Sequence, residues 1–413
     1  MEQKVTPGQR GSGSFRILMV LDQPFPPDPR VLNEALSLRN AGFCVSVLSI
    51  GPDDRPVREL FRGIQIIRYR IPKEVRNKMR GLAGSVPLLT LFLRWLIPRI
   101  HRRFGFDALH VHDLYMVGGG LAAGRRLGLP VVADLHENWV QVLSEYAWST
   151  RYPGKLFINI PKWHKLEKHW LEAADRVITV VNEACERVAA LEIATLKVTV
   201  VPNTINIGEF AGYAIEDEVV ASIRSEFTIV YTGGIDLHRG LNTLIRALAI
   251  VLAACPARLV VVGEGRVRSE LEALARDLGV AEHTVFTGWQ PQPRIKSYIE
   301  AGHVCMVPHI KSAQLDAALP HKLFHYMYMK RPVVVTNCKP LERIVRETAC
   351  GVVCKSGDPK SMGQALVQLY MDPERRRQMG ENGHRAVVDR YNWDHTAQDM
   401  VQMYKDLAKE RGH

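Results

Sequence analysis

Lys322 is the first residue whose position suggests chemistry. It lies two residues after Pro320, in the opening turn of an expected short helix, where propensity alone would favour an acid. Proline suits a helix's first turn and no later one. Leu323, Tyr326 and Met327 then fall on one face at helical spacing. A helix start aims free N–H groups and partial positive charge at one point, so a lysine there makes an anion site. Taken alone, the segment reads equally well as an amphipathic helix with a solvated lysine. A second basic residue, Arg239, precedes another expected helix, 241–254, behind Gly233 and Gly234, which permit close backbone approach. The third candidate group is imidazole. His110 and His112 flank Val111, so they share one face of a strand. Two histidines can ligate a metal, but no carboxylate or third histidine stands at ligand spacing, so hydrogen bonding is the stronger reading and no metal is expected.

The elements that must position these groups follow an α/β pattern. Residues 15–21 form a strand, 22–29 a proline-rich loop, 30–41 a helix and 44–50 the next strand, which is a parallel βαβ unit. Residues 65–69 and 107–113 are further strands. The first loop has no G-x-G-x-x-G, which disfavours dinucleotide binding. After a linker over 207–225, strand-and-helix alternation restarts at 227–232 and continues with strands at 258–262, 285–288 and 304–308. Pro332 stops the short helix, and Val333–Val335 is a β-branched run of buried parallel-strand type. Helices over 358–370, 374–388 and 393–409 close the chain.

At 413 residues the chain suits two domains. A hydrophobic fraction of 46% with 23% charged residues is that of a globular protein. Residues 1–14 are polar and Gly/Ser-rich, as in a disordered tail. No run reaches the ~18 apolar residues of a membrane span. Seven scattered cysteines suggest reduced thiols and a cytoplasmic location. The net charge of +11 suits an anionic lipid surface or phosphorylated substrates. No nucleic-acid signature accompanies it, so nucleic acid is not an expected partner. Residues 73–104 carry eight Lys/Arg against Glu74, around an apolar centre at 86–97 that is too short to span a membrane and long enough to lie at an interface. A core helix with a basic flank fits the same residues. The interface reading puts the protein at the inner face of the cell membrane, near a lipid-linked acceptor.

Pro320, Lys322, Leu323, Phe324, Tyr326, Arg331 and Pro332 together resemble the nucleotide-sugar loop of family 4 retaining glycosyltransferases. The resemblance extends to Y-T-G-G-x-D-x-H-R-G-L at 231–241, to V-P-N at 201–203, and to His110, His112, Asp113, Asp134, His136 and Glu137. It implies two Rossmann-like domains facing across a cleft, the GT-B arrangement. The acceptor domain is expected at 15–205 and the nucleotide-sugar domain at 206–390, with 391–413 crossing back to the first. By the same resemblance Arg239 grips the donor diphosphate together with Lys322, Leu323 and His325 belong to the donor loop, and Gly263 and Gly288 flank the base. His112, with Asp113 and His136, is the expected catalytic group, and Glu137 lines the acceptor side. Asp28 and Arg30 either shape the acceptor site or hold a rigid turn. The expected co-substrate is a nucleotide-sugar, the acceptor a carbohydrate or lipid-linked glycan, and the chemistry needs no obligatory metal or other cofactor. Three positions depart from the family pattern. Its two glutamates, seven residues apart, are Ala317 and His325 here, with Asp316 adjacent to the first, and a basic residue common after the first glycine is Gly234. These departures motivate a second reading, an inactive partner subunit that binds nucleotide or membrane. An epimerase-like or phosphorylase-like use of the fold is a third.

Overall fold

The structure is a computed structural model that describes residues 14–26, 28–145 and 158–413. The expected tail at 1–14 falls, apart from its last residue, outside the described residues, as does Pro27 of the proline-rich loop. The chain divides into two compact units, Met1–Pro202 with Ala397–His413, and Asn203–Thr396.

The described strands of the first unit are β1 (Arg16–Leu21), β2 (Cys44–Gly51), β3 (Arg58–Phe61), β4 (Ile64–Arg70), β5 (Ala108–His112), β6 (Val131–Leu135), β7 (Arg176–Thr179) and β8 (Val198–Val200). They form one sheet in the order β3-β4-β2-β1-β5-β6-β7-β8, parallel except for the β3–β4 hairpin. β1, β5 and β6 are almost wholly buried, and β5 and β6 carry His110, His112 and Asp134 among their apolar residues. The basic stretch is two helices, Lys73–Leu82 and Leu88–Phe104, separated where Pro87 takes the N-cap. Leu88–Phe104 packs closely on Leu114–Leu127 because the latter is glycine-rich: a Cβ on Gly119 would come 2.5 Å from Leu93 Cδ1. The core of this unit gathers Leu93, Val111, Val117, Trp163 and Leu171.

The second unit holds β9 (Thr228–Thr232), β10 (Arg258–Val262), β11 (Thr284–Gly288), β12 (Val304–Val307), β13 (Val333–Thr336) and β14 (Gly351–Cys354). They form a parallel sheet in the order β11-β10-β9-β12-β13-β14. Chain order reverses beside β9, so the loops after β9 and β12 diverge there, which is where parallel α/β sheets bind ligands. The helix Lys322–Tyr328 is anchored to this sheet. Tyr326 is fully buried, and its hydroxyl accepts the Thr232 N–H at 2.8 Å.

Candidate functional site

In the second unit the glycine loop, Arg239 and Lys322 form one cluster at the carboxyl ends of the strands. Lys322 is 8% exposed, and its Nζ has no hydrogen-bond partner. The ammonium lies 3.9 Å from the centre of the Tyr231 ring, and the Tyr231 hydroxyl donates to Gly234 O at 2.6 Å. Gly233 adopts φ +123, and a Cβ there would come 2.7 Å from Lys322 Nζ, so glycine is required for the lysine to lie against the loop. Arg239 Nη1 donates to His309 Nε2 at 3.0 Å, which holds that imidazole neutral on this nitrogen. Burial, Arg239 and Lys322 all push His309 well below its ordinary value. Burial and then Arg239 pull the Lys322 ammonium well below its usual range. The two cations are therefore close enough to repel each other, and the group that would relieve both is an anion.

The other donor-side residues are arranged around this point. Gly263 N donates to Gly288 O at 2.9 Å, so the loops after β10 and β11 meet beside Gly233, whose N–H bonds to Val262 O. Gly234 opens onto free space: a Cβ there would meet nothing within 4 Å. Leu323 is fully buried and packs in the core. The His325 ring lies 4.6 Å from the Phe210 ring and 5.3 Å from His321, and burial lowers its pKa. Asp316 Oδ1 accepts the Lys339 N–H at 2.8 Å, at the start of the helix Lys339–Thr348, which assigns it a capping role. The expected short helix is Lys322–Tyr328, seven residues long, with Lys322 at its first position. His309 was not found from the sequence; its signal is a histidine directly after the apolar strand β12.

In the first unit, β5 and β6 bring His110, His112, Asp134 and His136 together. Asp134 Oδ2 lies 3.3 Å from His110 Nε2, 3.2 Å from His112 Nδ1 and 3.0 Å from His136 Nε2. His112 Nδ1 is 3.1 Å from His136 Nε2, while His112 Nε2 is buried without a partner. From the helix Pro29–Asn40, Arg30 Nη2 lies 2.9 Å from Glu34 Oε1 and 3.3 Å from Asp134 Oδ1. Burial lowers His112 to about 3. His136 feels the same burial, but Asp134 and Asp113 outweigh it and raise it to about 9. Burial raises Glu34. The Tyr404 hydroxyl, from the helix Trp393–Glu410, bonds to His110 Nδ1 at 2.9 Å.

Asp28 and Arg30 resolve into structural parts. Asp28 is the N-cap of the helix Pro29–Asn40, accepting the Arg30 and Val31 N–H groups, and Arg30 is buried, donating to Val201 O and Asp134. Asp113 takes φ +66, a left-handed conformation unusual for a residue with a side chain, and its N–H donates to Asp134 O. Beside it lies a group that sequence reading missed. The Tyr115 hydroxyl is 2.7 Å from Asp22 Oδ1 and 3.0 Å from Asp113 Oδ2, and the Arg80 guanidinium is 4.7 Å from both the Tyr115 and Trp139 ring centres. Burial and Asp113 raise the pKa of Glu137.

Two family descriptions match the chain: "Glycosyltransferase Family 4" over residues 30–209 and "Glycosyl transferases group 1" over residues 215–386. The chain is 26% identical to a D-inositol 3-phosphate glycosyltransferase of Xylanimonas cellulosilytica, over 98% of this chain and 99% of that one. Among solved structures it resembles a sucrose-phosphate synthase from Thermosynechococcus elongatus, with TM-score 0.76 and 19% identity, covering 96% of this chain and all of that one. It also resembles the Anabaena protein HepE in complex with UDP, with TM-score 0.70 and 14% identity, covering 95% of this chain and all of that one.

Proposed function

Because the chain belongs to the family 4 glycosyltransferases, with two Rossmann-like domains of the GT-B class, we propose that it transfers a sugar with retention from a nucleotide-sugar to a carbohydrate or lipid-linked acceptor. The observation that carries this reading is the unpartnered, buried ammonium of Lys322 beside Arg239. In the transfer, the bond from the anomeric carbon to the diphosphate breaks and a bond to the acceptor oxygen forms. Negative charge gathers on the departing diphosphate, where Lys322 and Arg239 stabilise it, and the acceptor proton passes to a phosphate oxygen. His309 fixes the reach of Arg239. His112 presents its free Nε2 for a sugar hydroxyl, with Asp134 holding its other nitrogen. Glu137, Asp113, Asp22 and Arg80 are the acceptor-side groups in this reading. Two cations serving the leaving group make a metal at the diphosphate unnecessary.

Calorimetry with UDP, GDP and ADP, and with their sugars, tests the reading. One of these nucleotides should bind, and Lys322→Ala should weaken it by about 1.5–3 kcal/mol, roughly 10- to 150-fold. Binding by none, in a folded protein, would sink it. Nucleotide binding without turnover on any acceptor would support the inactive-partner reading instead.

The acceptor's physical state belongs to the same proposal. Leu88, Leu91 and Trp95 on the helix Leu88–Phe104 are 50%, 52% and 43% exposed, and Arg94, Arg99, Arg102 and Arg103 are close by in sequence. No helix among the described residues is long and apolar enough to cross a membrane. This exposed apolar edge with a basic flank suits the surface of an anionic membrane. The protein is expected to float with anionic vesicles at low salt, and Trp95→Ala with Leu91→Ser should abolish flotation. Wild-type protein left in the soluble fraction would end the membrane proposal.

A further inference from the structure

The buried cluster in the first unit contains a set of atoms that hydrogen bonding alone does not satisfy. Glu34 is fully buried, and its Oε2 has no hydrogen-bond partner. That oxygen lies 3.9 Å from His112 Nδ1. His112 Nδ1, Asp134 Oδ2 and His136 Nε2 stand 3.0–3.2 Å apart in pairs. One ligand atom from each of Glu34, His112, Asp134 and His136 lies within 4.8 Å of every other. A tetrahedral zinc with bonds of about 2.0–2.1 Å sets its ligand atoms about 3.3 Å apart. The three short edges are close to that spacing, and the Glu34 carboxylate, 3.9 Å from His112 Nδ1, is the fourth ligand.

We propose that Glu34, His112, Asp134 and His136 bind a single zinc-class divalent cation. Two imidazoles and two carboxylates form a donor set that suits Zn²⁺ or Co²⁺. The outer shell is already built. Arg30 occupies Glu34 Oε1 and Asp134 Oδ1, leaving Oε2 and Oδ2 to face inward, and His110 buttresses Asp134. The metal ties the helix Pro29–Asn40 to the ends of β5 and β6. By occupying Nδ1 of His112 it fixes Nε2 as the nitrogen carrying hydrogen. This role is separate from the diphosphate, whose cations lie in the other unit.

The test uses untagged, full-length protein stripped with a chelator. Cobalt titration should give one equivalent of uptake and the visible spectrum of a four-coordinate site. Zinc should displace the cobalt. Glu34→Gln and His136→Asn should each weaken uptake by more than about tenfold. X-ray absorption on the wild-type complex does not depend on the variants folding, and should show only nitrogen and oxygen neighbours, with imidazole scattering. Absence of uptake by folded wild-type protein overturns the proposal. Sulfur neighbours, which would place the ion on the cysteines, overturn it too. Nucleotide binding, measured in parallel, reports separately on the transferase reading.

Discussion

A lysine ammonium lodged against an aromatic ring, with a guanidinium nearby and no acceptor of its own, sits in an uncomfortable state. Burial and Arg239 have lowered the Lys322 pKa, and a bound diphosphate reverses both influences by supplying negative charge. Binding must then raise that pKa and take up protons at pH values between those of the free and bound states. A group whose pKa rises on binding contributes most at low pH and least at high pH. Nucleoside diphosphate affinity is therefore expected to fall as the pH rises through the lowered Lys322 value of the free protein. The binding enthalpy should vary with the ionisation enthalpy of the buffer. Lys322→Arg, which stays charged throughout, should flatten the pH profile; an unchanged slope would assign the effect to another group. Lys322 and Arg239 were legible in the sequence because each sits in a compact motif. His309 and Glu34 were not, since their partners come from strands and helices far away in the chain. The spacing argument that found no carboxylate near His112 failed for the same reason: β6 and the helix Pro29–Asn40 supply two in space.

Elements explain where reading the sequence worked and where it stopped. Buried parallel strands such as β12 and β13 announce themselves as apolar runs. β3 does not, because it is a half-exposed edge strand with Leu60 facing solvent, and its weak alternation reads as loop. The basic stretch looked continuous by composition, yet Pro87 divides it. Tight contact between the helices Leu88–Phe104 and Leu114–Leu127 depends on Gly119, and the helical pattern alone gives no hint of that. Adding one methyl there forces Leu93 to move. Gly119→Ala is expected to destabilise the first unit by about 1–3 kcal/mol in urea unfolding, with nucleotide affinity unchanged. A neutral effect would mean that the helix pair has room to separate.

At the scale of the molecule, the twofold α/β alternation was legible, and the family resemblance supplied its expected partition near residue 205. The compact units divide at Pro202, and residues 397–413 join the first one. Those last residues are structural there. Tyr404 is fully buried and bonds to His110, and Arg176 pairs with Glu410. Tyr404→Phe is expected to cost about 1–3 kcal/mol by stranding His110 Nδ1, and to speed hydrogen exchange along β5. Unchanged exchange would show that β5 does not rely on this bond.

The tail's membership of the first unit bears on how the chain matures. Residues 203–396 form an uninterrupted stretch, whereas the first unit needs residues 397–413, most of the last helix, before it is whole. During translation the later-made domain can close before the earlier one is complete, the reverse of the usual order of emergence from the ribosome.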